Sequence, residues 1–210
     1  MSIERRLANL RARFDGVALQ APKRAPRQAE QALLSGQAAT LGELADWCHT
    51  PARRGAPGVW HSAATQDLSV ATLLGADGAA TAAFANAFAR ALDGSTALES
   101  MSAVAGLGFR LQVKLHDAMW WRPRRPADPW DAGWASTAPP AQRRLEGHFL
   151  PRRATLILAP GEDSIPLTLA LAQLAQRSDE FAHPVRWLWV GAPSLARAEH
   201  LRSSLTLTLN

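Results

Sequence analysis

Cys48 is followed directly by His49, and His61 lies twelve residues further on. A thiol and two imidazoles are the ingredients of a nucleophile–base pair or of a metal centre. Adjacent side chains point apart, however, so positions 48 and 49 do not form a ready thiolate–imidazole pair. A zinc centre needs more ligands than this spacing supplies. Cys48, beside Trp47, therefore reads as a small packed hydrophobe. His116, His148, His183 and His200 occur singly. No catalytic residue, metal site or cofactor is assigned. The glycine fingerprints of phosphate-binding and dinucleotide-binding loops, the paired-histidine zinc motif and the nucleophile elbow are not found.

The second constellation is WWRPRRP at 120–126, where Trp120 and Trp121 stand beside Arg122, Arg124 and Arg125. Indoles and guanidiniums together suit a protein interface, where Trp and Arg are favoured anchors. Trp130, Trp134, Arg152 and Arg153 extend this candidate partner-binding surface, and Arg143 and Arg144 join it if the chain folds back. The same arginines with base-stacking indoles would also serve a nucleic acid. In the competing structural reading, Trp120 and Trp121 plug the core while the arginines pair with Asp128 and Asp131.

The third candidate is the loop PGEDSIP at 160–166, between an apolar run and a helical pattern. In an open parallel sheet, ligands gather at such carboxyl ends of strands. Gly161, Glu162, Asp163 and Ser164 are its candidate contacts for a nucleotide or small anion. Equally, Gly161 makes the turn, Asp163 or Ser164 caps the helix, and Pro166 sits in its first turn. Residues 147–175 and 184–193 resemble the nucleotide-binding half of ferredoxin-reductase-type flavoenzymes, in which a strand, a glycine-rich loop and Ile-Ala-Pro lead into a helix. The resemblance implies a strand–loop–helix unit. The family's loop glycine and threonine are replaced here by Glu162, Asp163 and Ser164, and its Arg-x-Tyr-Ser flavin motif has no counterpart in a chain without Tyr. No cofactor is carried over.

The elements that must position these residues follow from periodicity. Ile3, Leu7, Leu10, Phe14 and Val17 mark one stripe of an amphipathic helix, and QAPKRAPR at 20–27 reads as a basic linker. Gln28–Leu34 predicts a short helix ended by Gly36, and Thr40 with Glu43 predicts a capping box. Val59–His61 reads as a short strand, Asp67–Leu74 as helical, and Ala79–Leu92 as a strong helix stopped near Gly94. A capping box at Thr96 and Glu99 opens another helix, which the glycines at 106 and 108 should close. Phe109, Leu111, Val113 and Leu115 alternate with polar residues, predicting a strand over 109–116. Residues 119–153, rich in Pro, Trp and Arg, read as an irregular crossover. ATLILA, Ile165–Gln176, VRWLWV, Ser194–Ser203 and LTLTL then give β-α-β-α-β with parallel pairing.

The expected fold is therefore α/β: an amphipathic helix and linker at 1–27, a mainly helical region at 28–107, and a small, mostly parallel α/β region at 108–210. With 210 residues, 47% hydrophobic and 20% charged, the composition is globular. The +5 charge comes almost wholly from Arg, with Lys only at 23 and 114, a pattern expected of a high-GC bacterial genome. One Cys cannot make an internal disulfide, charged residues interrupt the first apolar stretches, and no run spans about 18 apolar residues. A cytoplasmic, non-enzymatic accessory protein that binds a protein partner is the leading expectation. The alternatives are a ligand at 160–166 or a nucleic acid on the arginines.

Overall fold

The computed structural model describes residues 14–49, 59–60, 68–102, 105–109, 111, 113, 128–161, 164–181, 183–191 and 205–209. Seven strands form one mixed sheet: β1 (Leu19–Gln20), β2 (Val59–Trp60), β3 (Leu68–Gly75), β4 (Asp131–Ala135), β5 (Thr155–Pro160), β6 (Val185–Val190) and β7 (Leu205–Leu209). Their spatial order is β1-β4-β5-β6-β3-β2, with β7 also paired to β3. The β4–β5, β5–β6, β6–β3 and β3–β7 pairs are parallel, and the short β1 and β2 run antiparallel to their neighbours.

Helices are interspersed with these strands: α1 (Arg27–Gly36), α2 (Ala38–His49), α3 (Gly78–Leu92), α4 (Ser95–Ser100), α5 (Pro139–Gly147) and α6 (Ser164–Gln176). The expected α/β class is the one observed. Alternate residues of the central strands feed two core layers, as the strand period of two requires. On one face, Ala71, Leu73, Leu156, Leu158, Leu188 and Val190 meet Leu44 and Cys48 of α2 and Phe84 and Phe88 of α3. On the other, Val70, Ile157, Ala159, Val185, Trp187 and Trp189 meet Leu145 of α5 and Leu167, Leu171 and Leu174 of α6. Strands buried on both faces explain why ATLILA and VRWLWV are apolar except at Thr155 and Arg186.

Several expectations are corrected. Residues 68–75 are not helical but form β3, the strand that lies between β6 and β7. Eight residues of mixed apolar and small polar type carry too little periodicity to separate helix from strand, and pairing on both sides decides. Residues 105–109, 111 and 113 are helical, so at the described positions 109, 111 and 113 the alternation does not mark a strand, and the sheet passes through 68–75 instead; the rest of 110–116 lies outside the described residues. Gly106 donates its N–H to Ser102 O (2.8 Å), a helical bond, so the glycines do not close the helix. Phe109 packs over Gly94, whose φ of +79° and lack of a side chain admit the ring; a Cβ there would lie 3.3 Å from it.

The crossover at 119–153 is not irregular throughout. It contains β4, held between β1 and β5, and α5, whose Pro139 and Pro140 occupy the first turn, where no N–H is needed. Thr40 lies inside α2 rather than capping it. At the N-terminus, residues 16–18 form a turn and Val17 is exposed, so it leaves the amphipathic stripe. Phe14 lies in non-helical chain and packs against the core, while Ile3, Leu7 and Leu10 of that stripe, and the Ser194–Ser203 pattern, lie outside the described residues.

Candidate functional site

In a doubly wound sheet, the ligand crevice opens at the carboxyl edge where successive connections depart to opposite faces. Here β3 leads into α3 on one face and β5 leads into α6 on the other, which puts that point at the carboxyl ends of β3, β6 and β5. Two amides there are already committed. Gly161 donates to Val190 O (2.9 Å), and Gly191, at φ +89°, donates to Leu73 O (2.9 Å). The Gly161 amide expected to face a ligand is thus used within the sheet. Glu162 and Asp163 lie outside the described residues, as does the side chain of Ser164, the first residue of α6.

The β3–α3 turn is closed in a similar way. Asp77 caps α3, its carboxylate accepting the Ala79 N–H (2.8 Å), and Thr81 Oγ1 donates to Asp77 O (2.6 Å). A Cβ on Gly75 would overlap Thr81 Oγ1. A helix N-terminus attracts anions through its free N–H groups and dipole. At α3 the chain's own carboxylate takes that place, and a phosphate would meet repulsion.

The Arg/Trp constellation divides. Trp120, Trp121, Arg122, Arg124 and Arg125 lie outside the described residues. Trp130 is buried, edge-on to His49 at 5.7 Å. Trp134 is partly buried, and its indole N–H donates to Asn86 Oδ1 (2.8 Å), which also accepts the Lys23 N–H (2.9 Å). Arg152 grips Asp131 through two bonds, Nε to Oδ2 at 2.8 Å and Nη2 to Oδ1 at 3.0 Å, while Arg153 Nη1 stands 4.0 Å from Oδ1. Bidentate guanidinium–carboxylate pairing fixes geometry strongly, so these four residues tie the start of β4 to the neighbouring strands and helices.

No family model, curated protein or solved structure matches this chain.

Cys48 sits on α2 against the sheet, and burial pushes its thiol up to about 12, against the pull of the Arg186 charge. His49 turns toward Trp130, and His61 lies outside the described residues. Among the described residues no group of three His, Cys, Asp or Glu could hold a metal. The neutral, enclosed thiol is expected to resist chemistry. At pH 8 its thiolate population should be about 1000-fold below that of an ordinary thiol. Iodoacetamide labelling followed by mass spectrometry should modify Cys48 readily in urea and scarcely in the native protein; equal labelling would contradict the burial.

Arg186 is the site-like residue that the sequence reading passed over. It is buried on β6, donates Nε–H to Trp47 O (3.2 Å), and lies 6.0 Å from the centre of the Trp47 ring. Its signal was a lone cation inside VRWLWV. Together these contacts pin α2 to the sheet. No described helix is long and apolar enough to cross a membrane.

Proposed function

We propose that this chain is a non-enzymatic accessory protein of the bacterial cytoplasm that docks a protein partner on the surface running from residue 105 into the Trp/Arg segment. The observation that carries this reading is a pair of leucines. Leu107 and Leu111, one helical turn apart, are 69% and 58% exposed, on the helical stretch that leads towards Trp120, Trp121, Arg122, Arg124 and Arg125. Large apolar side chains grouped in water mark association surfaces, and the following cations favour a partner segment with apolar and acidic residues. Supporting it, among the described residues at the carboxyl edge of the sheet the Asp77 carboxylate caps α3 and the Gly161 and Gly191 amides bond to carbonyls of the chain. A lone buried thiol suits a reducing compartment.

Affinity capture from the native host, followed by measurement on the purified pair, tests the proposal. Leu107→Asp with Leu111→Asp, and separately Trp121→Ala with Arg124→Ala and Arg125→Ala, should weaken binding by about tenfold or more, or ~1.4 kcal/mol, while far-UV circular dichroism stays unchanged. Unaltered affinity in both variants would end this reading. A rise in Tm with nucleotides or flavins would replace it with the 160–166 ligand site, and a salt-sensitive mobility shift with DNA or RNA would replace it with nucleic-acid binding.

A further inference from the structure

Helices α5 and α6 lie side by side on one face of the sheet and run the same way, because β4, β5 and β6 are parallel and each helix is the crossover between two of them. Their C-terminal ends meet: Arg177, just past α6, donates Nη1–H to Glu146 O near the end of α5 (2.9 Å). Between them lies an open groove of about 590 Å³, lined by Arg143, Glu146, Gly147 and His148 on one side and by Leu169 and Gln173 on the other. Ile165 and Leu169, one turn apart on α6, are 58% and 55% exposed, whereas Leu167, Leu171 and Leu174 of the same helix are buried against the sheet. Residues four apart form one ridge of a helix, so two large apolar side chains stand in water along a single line that ends in the groove.

The groove wall carries charges of both signs. Arg143 and Glu146, three residues apart on α5, make no ion pair with each other or with another of the described residues, in contrast to Arg144, which Asp15 holds at 2.7 Å. A partner of one sign is drawn to one of these two groups and repelled by the other. A second copy of the chain satisfies both, because a two-fold axis makes a contact in which residue i of one copy meets residue j of the other and j meets i. Turning the parallel helices end for end brings Arg143 of each copy to Glu146 of the other. The two charges cancel within each wall, so this face avoids the repulsion that a chain of net charge +5 otherwise presents to its own kind.

We propose that the α5–α6 face is a two-fold contact between copies of this chain, in which Leu169 of each copy seats in the groove of the other, Ile165 extends the apolar ridge, and Arg143 pairs with Glu146 across the axis. Helices of 9 and 13 residues are about 14 and 20 Å long, and at about 10 Å of width each they offer roughly 350 Å² per copy, under half of a standard interface. The dimer is therefore weak and reversible, with a Kd of about 10–100 µM. This inference is independent of the partner surface at residues 105–125.

Sedimentation velocity on the full chain, from about 2 to 500 µM so as to bracket that Kd, tests it. The wild type should pass from the monomer mass of 22.6 kDa towards twice that value. Arg143→Glu alone and Glu146→Arg alone set like charges opposite one another and should each weaken association by about tenfold, with far-UV circular dichroism unchanged. An equimolar mixture of the two variants should associate again, because every cross-axis pair in the mixed dimer joins opposite signs. Leu169→Asp should weaken the dimer by about tenfold or more, whereas Leu107→Asp with Leu111→Asp should leave it intact, which separates this contact from the docking surface proposed above. A monomer at every concentration overturns the proposal, as does a dimer that the groove variants leave unaltered or a mixture that stays as weak as its components.

Discussion

Replacing Trp187 with alanine is expected to lower the unfolding free energy by about 3–5 kcal/mol, the largest loss from a single side chain in this core. Trp187 is fully buried at the middle of β6, opposite Val70 on β3 and Ile157 on β5. Its ring meets Trp189 at 5.5 Å with planes inclined at 64°, and it belongs to the layer that holds α6. Truncation leaves a void bounded by two strands whose hydrogen bonds prevent them from closing inward, so lost transfer energy and lost dispersion contacts add. Trp187→Phe separates shape from polarity. The Trp187 indole N–H has no acceptor among the described residues, so phenylalanine removes an uncompensated buried donor while keeping an aromatic ring. Its cost is expected below about 2 kcal/mol. Urea unfolding followed by near-UV circular dichroism checks both, with unchanged m values. An alanine cost near 1 kcal/mol would mean that α6 is not seated on this residue.

What the sequence made legible tracks where burial alone determines structure. ATLILA, VRWLWV and LTLTL announced β5, β6 and β7, because a strand covered on both faces, or on one, leaves a hydropathy pattern with few alternatives. Ala79–Leu92 announced α3 through composition and through Phe84, Phe88 and Leu92 on one face. β4 gave no such signal. DAGWA has weak strand preference, and it is extended because β1 and β5 flank it and because Arg152 neutralises Asp131 at its first residue. Gly133 is required there by close approach: a Cβ would come within 2.8 Å of Gln20 O. At 109, 111 and 113 the alternation was misleading because polar and apolar residues can also alternate along a helix, where Leu107 and Leu111 sit in water without a buried face to enforce a period of two. At the candidate sites, residue type was visible and pairing was not. Asp131 stood in the sequence reading as one possible partner of the arginines, whereas the capture of Arg144 by Asp15, across most of the chain, is a tertiary fact with no local trace.

The same limit applies to the ion cluster that joins three helices, and removing its central cation should come next in magnitude. Arg90 of α3 is nearly enclosed, with Nε 2.9 Å from Glu30 Oε1 of α1 and Nη2 2.6 Å from Glu99 Oε1 of α4. Glu30 is 2% exposed, and its Oε1 also accepts the Ala25 N–H (3.1 Å). Burial works against the Arg90 charge, but the Glu99 hydrogen bond and the carboxylates of Glu30, Glu99 and Asp93 outweigh it, and its pKa rises. Arg90→Met keeps the stem and deletes the charge, leaving Glu30 buried without its counter-ion. A loss of about 3–5 kcal/mol is expected, since an uncompensated buried charge costs more than the pair was worth. Glu30→Gln added to Arg90→Met should recover part of it, because two neutral side chains then share the site, and the double-mutant cycle reads the coupling. The pH dependence follows from Glu99, whose carboxyl is held below its ordinary 4.5 first by the hydrogen bond from Arg90. A lowered carboxyl pKa stabilises the fold above the unfolded value, and that contribution fades as pH falls through the folded one. Arg90→Met abolishes the contribution, so the stability gap between wild type and variant should narrow from pH 7 towards pH 3. A gap that widens in acid, or a double variant no more stable than Arg90→Met, would show that these carboxylates do not depend on Arg90.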